Sequence, residues 1–435
     1  MTAHESPRAP SPIRAFAPLA GLLLAFSVGP APAMAVQQRP TADACIECHL
    51  TLDEDRLSAP ATMFETDIHA ERGFGCLACH GARKNSDALD PSAGFLSKPS
   101  RREIPELCGS CHSDAAFMRD YDPSLRVDQV LEYRSSIHGQ RLMEEDDADV
   151  ATCVSCHPAH ATRPPSDTES SVYPSRVAEL CGSCHGDPEI MGRHDIGTEQ
   201  LEDYKGSVHG KLMYEEEDLT APTCNDCHGN HGAAPPGLAS VANVCGECHS
   251  MMATLFSENG HADLFIEQDL PGCATCHANH AVEEVTDEAL TLRSEEICGQ
   301  CHEDDDPFGH EFVEMKRLVD SLKAQHAAGL TLLEEAENAG MEVGQALFEL
   351  EGVNTALTKA RTAVHSFRVD PVKEEVEAGL EIAEAARRRG IEALEEHRFR
   401  RVGLALSTAV IALLIVGLLL KIKDIEERAT ESLPP

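Results

Sequence analysis

The chain has 435 residues, room for two or three ordinary domains, yet it contains no Trp and only 4% aromatic residues, so side chains alone would build a poor core. Its net charge of −38 argues against nucleic acid as a partner and for basic partners whose docking depends on ionic strength. The carboxylate runs beginning at Glu144, Glu215 and Glu303 lack an EF-hand spacing and read as solvated loops.

Residues 1–35 have the form of a secretory signal. Arg8 and Arg14 precede an apolar stretch, and Ala33, Met34 and Ala35 form an A-x-A cleavage site. Residues 36–308 follow with a different signature. All 18 cysteines fall in nine C-x-x-C pairs, each followed at once by His. The pairs are Cys45 and Cys48, Cys76 and Cys79, Cys108 and Cys111, Cys153 and Cys156, Cys181 and Cys184, Cys224 and Cys227, Cys245 and Cys248, Cys273 and Cys276, and Cys298 and Cys301. The histidines that follow are His49, His80, His112, His157, His185, His228, His249, His277 and His302. A disulfide scaffold has no need of those histidines, zinc sites would use two pairs per metal, and no βαβ pattern accompanies a thioredoxin-like motif. C-x-x-C-H is the attachment site of c-type haem, where two thiols add to the porphyrin vinyls and the adjacent imidazole reaches the iron. The expected cofactors are therefore nine covalently bound c-type haems, and the porphyrins replace aliphatic side chains as the core.

The segment is also repetitive. Residues 204–231 copy residues 133–160 without a gap, keeping Tyr133/Tyr204, Ser136/Ser207, His138/His209, Gly139/Gly210 and the whole C-x-x-C-H-x-x-H frame. After the leading motif at Cys45 come four units, each a lone head histidine and two C-x-x-C-H motifs; the heads are His69, His138, His209 and His261. His310 resembles a fifth head. A linear array of repeats is expected, each packing on its neighbours. Each motif supplies one proximal imidazole, and nine distal ligands are then sought. His160, His231 and His280 stand three residues after their own proximal histidines, point the same way, and are expected to reach a different haem. With the heads His69, His138, His209, His261 and His310 they make eight. His365 and His326 compete for the ninth place, with His365 favoured. His194 occupies the internal position of Tyr121 and is read as packing or as bonding a haem propionate.

Residues 309–400 change to an Ala-, Leu- and Glu-rich helical pattern. Leu318, Leu322, His326, Leu330 and Leu333 share one face and Leu350, Val353, Leu357, Val364 and His365 another, with Gly340 ending the first helix. Asp370 is expected as the N-cap of a third helix with Pro371 at its first position. Residues 401–421 contain an uncharged stretch, 402–420, long enough to cross a bilayer. Residues 422–435 are then a cytoplasmic tail. Arg387, Arg388, Arg389, Arg398, Arg400 and Arg401 crowd the outer flank, opposite to the usual bias, and are offered to anionic headgroups or to an acidic partner. The expected fold is a multihaem cytochrome: mostly coil and short helices around a haem core, then a long-helix, all-α domain and a C-terminal transmembrane helix.

The Y-x-x-S-x-H-G, C-x-x-C-H-x-x-H and CGSCH frames, over about residues 41–310, resemble the multihaem c-type cytochromes with doubled C-x-x-C-H motifs. The stretch AVHSFRVDP around His365 is similar to the closing histidine-bearing helix of the cytochrome c nitrite reductase and octahaem group. The resemblance implies electron transfer through closely packed haems and carries His365 over as an axial ligand. No C-x-x-C-K motif is present, and the anchor is C-terminal, unlike that of short tetrahaem quinol dehydrogenases. The expected protein is a carrier on the outer, periplasmic face of the cytoplasmic membrane. It would lie between a quinol-oxidising membrane module and a soluble or basic acceptor. The rival readings are a multihaem reductase of a small nitrogen or sulfur oxyanion, with the Cys298/Cys301 haem as the first suspect for an open position, and a relay subunit of a larger respiratory complex.

Overall fold

The structure is a computed structural model that describes residues 44–81, 98–237, 240–293, 295–303, 306 and 308–431. The leader expected at 1–35 and the end of the expected tail lie outside the described residues. The chain is 67% helical, with no strand among the described residues.

Two architectures follow one another. The first is a run of short helices, from α1 (Ala44–His49) to α18 (Cys273–His277), joined by turns. Among the described residues it closes one small cluster, of Tyr133, Leu142 and Val150. This is the poor side-chain core expected from the composition.

The second is a helical bundle of α19 (Gly309–Asn338), α20 (Gly344–Leu350), α21 (Gly352–Ala363) and α22 (Val369–Glu431). Here the apolar stripe predicted from sequence does close a core. Val319, Leu322, Leu333, Val353, Val372 and Val376 are fully buried, each such side chain contributing about 1.5–3 kcal/mol over exposure. α19 and α22 run parallel, since Glu311 stands by Val369, Leu322 by Gly379 and Leu332 by Gly390. α21 returns between them, with Gly352 beside Ile382 and Lys359 beside Glu375. Gly340, at φ +76°, follows the end of α19 in the left-handed region that stops a helix. One boundary differs from expectation. α22 begins at Val369, not at Pro371 after an Asp370 cap, because the Val369 N–H donates to Glu311 Oε2 at 3.0 Å. Pro371 still falls in the first turn, where a missing N–H costs nothing.

The array is tied to one end of this bundle. Asp287, 8% exposed, accepts two hydrogen bonds from Arg361 at 2.8 and 2.9 Å and pairs with Lys323 at 2.9 Å. Leu290 enters the bundle core. Asn259 Nδ2 donates to the His365 carbonyl at 3.1 Å, and the His261 ring stacks on Phe367 at 4.0 Å. At its other end α22 continues alone. Residues 402–420 are exposed throughout, and the helix is the one candidate membrane span among the described residues.

Candidate functional site

Each unit head is built by a cap two residues before its histidine. Asp67, 1% exposed, accepts from His69 N at 2.8 Å and from Thr162 N at 2.8 Å. Ser136 accepts from Gly139 N, Ser207 from Gly210 N and Asn259 from His261 N, at 3.0, 3.1 and 2.9 Å. Asp, Ser and Asn are residues that satisfy the free N–H groups of a helix start. The Y-x-x-S-x-H-G frame is explained by the same joint. Ser136 Oγ donates to the Tyr133 carbonyl at 2.6 Å, Tyr133 OH donates to the Ala151 carbonyl at 2.8 Å, and a Cβ on Gly139 would lie 1.8 Å from the Tyr133 carbonyl oxygen. Ser207, Tyr204 and Gly210 repeat the arrangement. Only glycine fits there, and the head histidine is fixed beside it.

A backbone bond then links successive units. Ile68 N donates to the Thr162 carbonyl, Ile137 N to Ala233 and Val208 N to Val282, at 2.9, 3.1 and 2.8 Å. Each donor precedes a head histidine, and each acceptor lies two residues beyond a close-following one. The second unit's His160 is thereby carried to the first unit, and likewise along the array.

The outcome is eight facing pairs of imidazoles. The heads meet the second proximal histidine of their own unit: His69 with His112, His138 with His185, His209 with His249 and His261 with His302, at ring-centre distances of 6.0, 6.1, 6.3 and 6.1 Å. The close-following histidines meet the first proximal histidine of the preceding unit: His160 with His80, His231 with His157 and His280 with His228, at 6.0, 6.3 and 5.9 Å. In the last unit that position, opposite His277, is taken by His365 at 6.1 Å. A metal–imidazole bond is about 2 Å and the ring centre lies roughly another 1 Å behind its nitrogen, so two rings on opposite faces of one metal stand about 6 Å apart.

The surroundings suit such a ligand set. Burial holds His112, His138, His157, His160, His185, His209, His231, His261, His277 and His280 below the usual imidazole range, so they are neutral and keep a lone pair. Nδ1 of His69, His228 and His365 is held by Asp67, the Ala234 carbonyl and the Thr362 carbonyl at 2.8, 3.2 and 3.1 Å, and His302 Nδ1 is bonded to Asp306. Nε2 is left to the gap in each of these rings.

The thiols order the sites. Cys108 meets Cys153, Cys181 meets Cys224 and Cys245 meets Cys273, close enough to hydrogen-bond. Between these junctions Cys79 lies near Cys108 and Cys111, Cys156 near Cys184, Cys227 near Cys245 and Cys248, and Cys276 near Cys298 and Cys301. From the second motif to the ninth, spatial order follows chain order. The residues fit a haem at these places by the gap between rings and the adjacent thiols. Gln129 Oε1 and Gln200 Oε1, at equivalent positions of the repeat, are buried without a partner.

Five histidines of the described residues stand outside the pairs: His49, His194, His310, His326 and His397. His310, expected as a fifth head, has a side chain 74% exposed beside Glu311 and joins no imidazole among the described residues; it lies on α19, which turns its ring outward. His326 also joins none, so the choice between the helical histidines falls on position rather than face: His365 stands at the end of α21, against the array. His49 faces no imidazole among the described residues, and its Nδ1 is held by the Leu57 carbonyl at 2.8 Å. The His194 side chain, 9% exposed, stands between Asp147 and Asp149, which are paired with Arg141 and Arg193. Sequence reasoning missed the caps at Asp67, Ser136, Ser207 and Asn259. Their common place two residues before each head was the available signal.

Comparison with known proteins points the same way. The family described as Doubled CXXCH motif matches at residues 146–189, and that described as Cytochrome c554 and c-prime at residues 30–81. The C-type polyheme cytochrome OmcC of Geobacter sulfurreducens is 21% identical over 236 residues, covering 54% of this chain and 26% of that protein. The chain thus spans about a quarter of the relative's length. No solved structure matches.

Proposed function

This chain is a multihaem c-type cytochrome, and from that premise we propose that it is a membrane-tethered carrier holding nine haems in one line. The nine Cys pairs would hold the porphyrins, and the proximal histidines would each take one axial position. Opposite them would stand His69, His138, His160, His209, His231, His261, His280 and His365. Haem supplies one-electron transfer at each site. The chain's own residues set the spacing, exclude water around the rings and fix each imidazole's orientation through its cap or its Nδ1 bond. The single observation that carries this reading is the recurrence of one ring-to-ring distance, 5.9–6.3 Å, at eight places, with one backbone bond repeated at three junctions between units. The haem domain is assigned to the periplasmic side of the cytoplasmic membrane, with redox proteins as partners.

The test is spectroscopic. The exported, purified chain should carry nine haems by intact mass, and at least eight should give low-spin bis-imidazole signals. Eight or fewer haems in fully matured protein would overturn the count.

A second reading has an observation of its own. His49 is the one proximal histidine that faces no imidazole among the described residues, while His302, at the site first suspected of being open, faces His261. A ligand-binding or reductase role would therefore centre on the Cys45/Cys48 site. A high-spin signal abolished by nitrite or carbon monoxide, and absent from His49→Ala protein that retains the other signals, would favour it.

A further inference from the structure

The first unit differs from the next two in what stands behind its head histidine. Asp67 is 1% exposed, and N–H groups engage both of its oxygens. Oδ1 accepts from His69 N and Oδ2 from Thr162 N, each at 2.8 Å. A carboxyl whose two oxygens both accept holds no proton on either, so in its third contact, 2.8 Å between Oδ1 and His69 Nδ1, the ring is the donor. Nε2 is then the nitrogen left for the gap opposite His112.

Units two and three hold the same kind of pair without that carboxylate. Ser136 and Ser207 stand in the place of Asp67, and their hydroxyls are committed to the Tyr133 and Tyr204 carbonyls and to the Gly139 and Gly210 N–H groups. Among the described residues no carboxylate is bonded to His138, His185, His209 or His249, the rings of those two pairs. Unit four has a carboxylate of its own, Asp306 on His302 Nδ1, so the like-for-like comparison is with units two and three.

A carboxylate that accepts Nδ1–H makes an axial imidazole a stronger donor through Nε2. Its buried negative charge acts through a low dielectric as well. Both effects favour the more positively charged ferric iron over the ferrous one, which lowers the reduction potential. Position gives that shift a consequence. Cys108 lies near Cys79 on one side and meets Cys153 on the other, so an electron passing along the thiol order between the Cys76/Cys79 and Cys153/Cys156 sites stands on the iron between His69 and His112.

We infer that Asp67 is a positioning residue that, acting through His69, holds the Cys108/Cys111 iron at a lower potential than the equivalent irons at Cys181/Cys184 and Cys245/Cys248. That site is then an uphill step in the line, and the electron population on its two sides is separated there. The inference rests on the carrier reading above. Each iron takes one electron in passing from ferric to ferrous, and no bond between Asp67 and His69 breaks.

The test is a redox titration of the full haem-loaded chain with dithionite and ferricyanide, followed by site-resolved magnetic resonance. The three sites are assigned by the signals that His69→Met, His138→Met and His209→Met alter. In the parent the Cys108/Cys111 midpoint should be the lowest of the three. Asp67→Asn and Asp67→Ser each leave a capping residue of the type found in the other heads. Either should raise that midpoint by a roughly tenfold change in the one-electron equilibrium, 59 mV, with the low-spin bis-imidazole signal kept and the other two midpoints unmoved. A parent midpoint level with or above the other two would overturn the inference, as would an unmoved midpoint in a variant that keeps its bis-imidazole signal. Loss of that signal in both variants would reduce Asp67 to a cap that merely holds His69, and would overturn it too. A parent with no bis-imidazole signal at Cys108/Cys111 would instead sink the carrier reading, which separates the two failures.

Discussion

Ser207 shows how a single side chain determines where an imidazole stands. It is 1% exposed and makes one bond to the Tyr204 carbonyl and one to the Gly210 N–H. Ser207→Ala should cost about 1–2 kcal/mol, seen as a lower denaturation midpoint, with the His249 site losing its bis-imidazole signal first because His209 is its facing ring. An unchanged midpoint and unchanged spectrum would deny the cap its role. His231 tests the crossing between units. Its ring faces His157 and not its own neighbour His228, so His231→Met should replace one imidazole by thioether at the Cys153/Cys156 site and leave the Cys224/Cys227 site as it was. Site-resolved magnetic resonance showing the reverse would refute the assignment. His310→Ala, by contrast, should leave every haem signal in place, since that ring is exposed.

At the scale of elements, the joint between array and bundle turns on Asp287. Hydrogen bonds from Arg361, and then from Lys323, hold its carboxyl down at about 2 against an ordinary 3.8. A carboxyl depressed in the folded state adds stability above the unfolded value and loses it as pH falls through the folded one. The tie should therefore be complete above about pH 4 and fade toward pH 2. Arg361 and Lys323 are half exposed, so solvent screening reduces the contribution to on the order of 1–2 kcal/mol. Asp287→Asn should lower the thermal midpoint at neutral pH and flatten its acid dependence in that window. A variant whose acid profile matches the parent would show that other carboxylates govern it. The bundle's own helices should persist in the variant, because their core of Val319, Leu322, Val353 and Val376 is separate from this pair.

At the scale of the whole molecule, a wire of sites is mounted on one end of a helical stalk. Protease added to intact spheroplasts should release the haem-bearing part and leave the residues beyond 420 protected. A tail labelled from outside would reverse the topology. The arrangement of the wire also explains the odd composition. Where haems are expected, aliphatic clusters are few, and where none is expected a conventional core of fully buried Val and Leu appears.

The nine C-x-x-C-H motifs, the repeat, the helical change of composition after residue 308 and the apolar stretch at 402–420 were all legible in the sequence, because each is a local pattern fixed by covalent spacing or helical period. The turning away of His160, His231 and His280 from their own motifs was legible as a geometric exclusion. Which site each one reaches was not. That depends on the bonds from Ile68, Ile137 and Val208 to carbonyls of the following unit, contacts between residues about 75–95 apart that no local pattern encodes. For the same reason sequence could rank His365 above His326 but could not bring it to His277. Helix periodicity gives a face, whereas the meeting of a helix end with the array is decided only when the bundle folds back on itself.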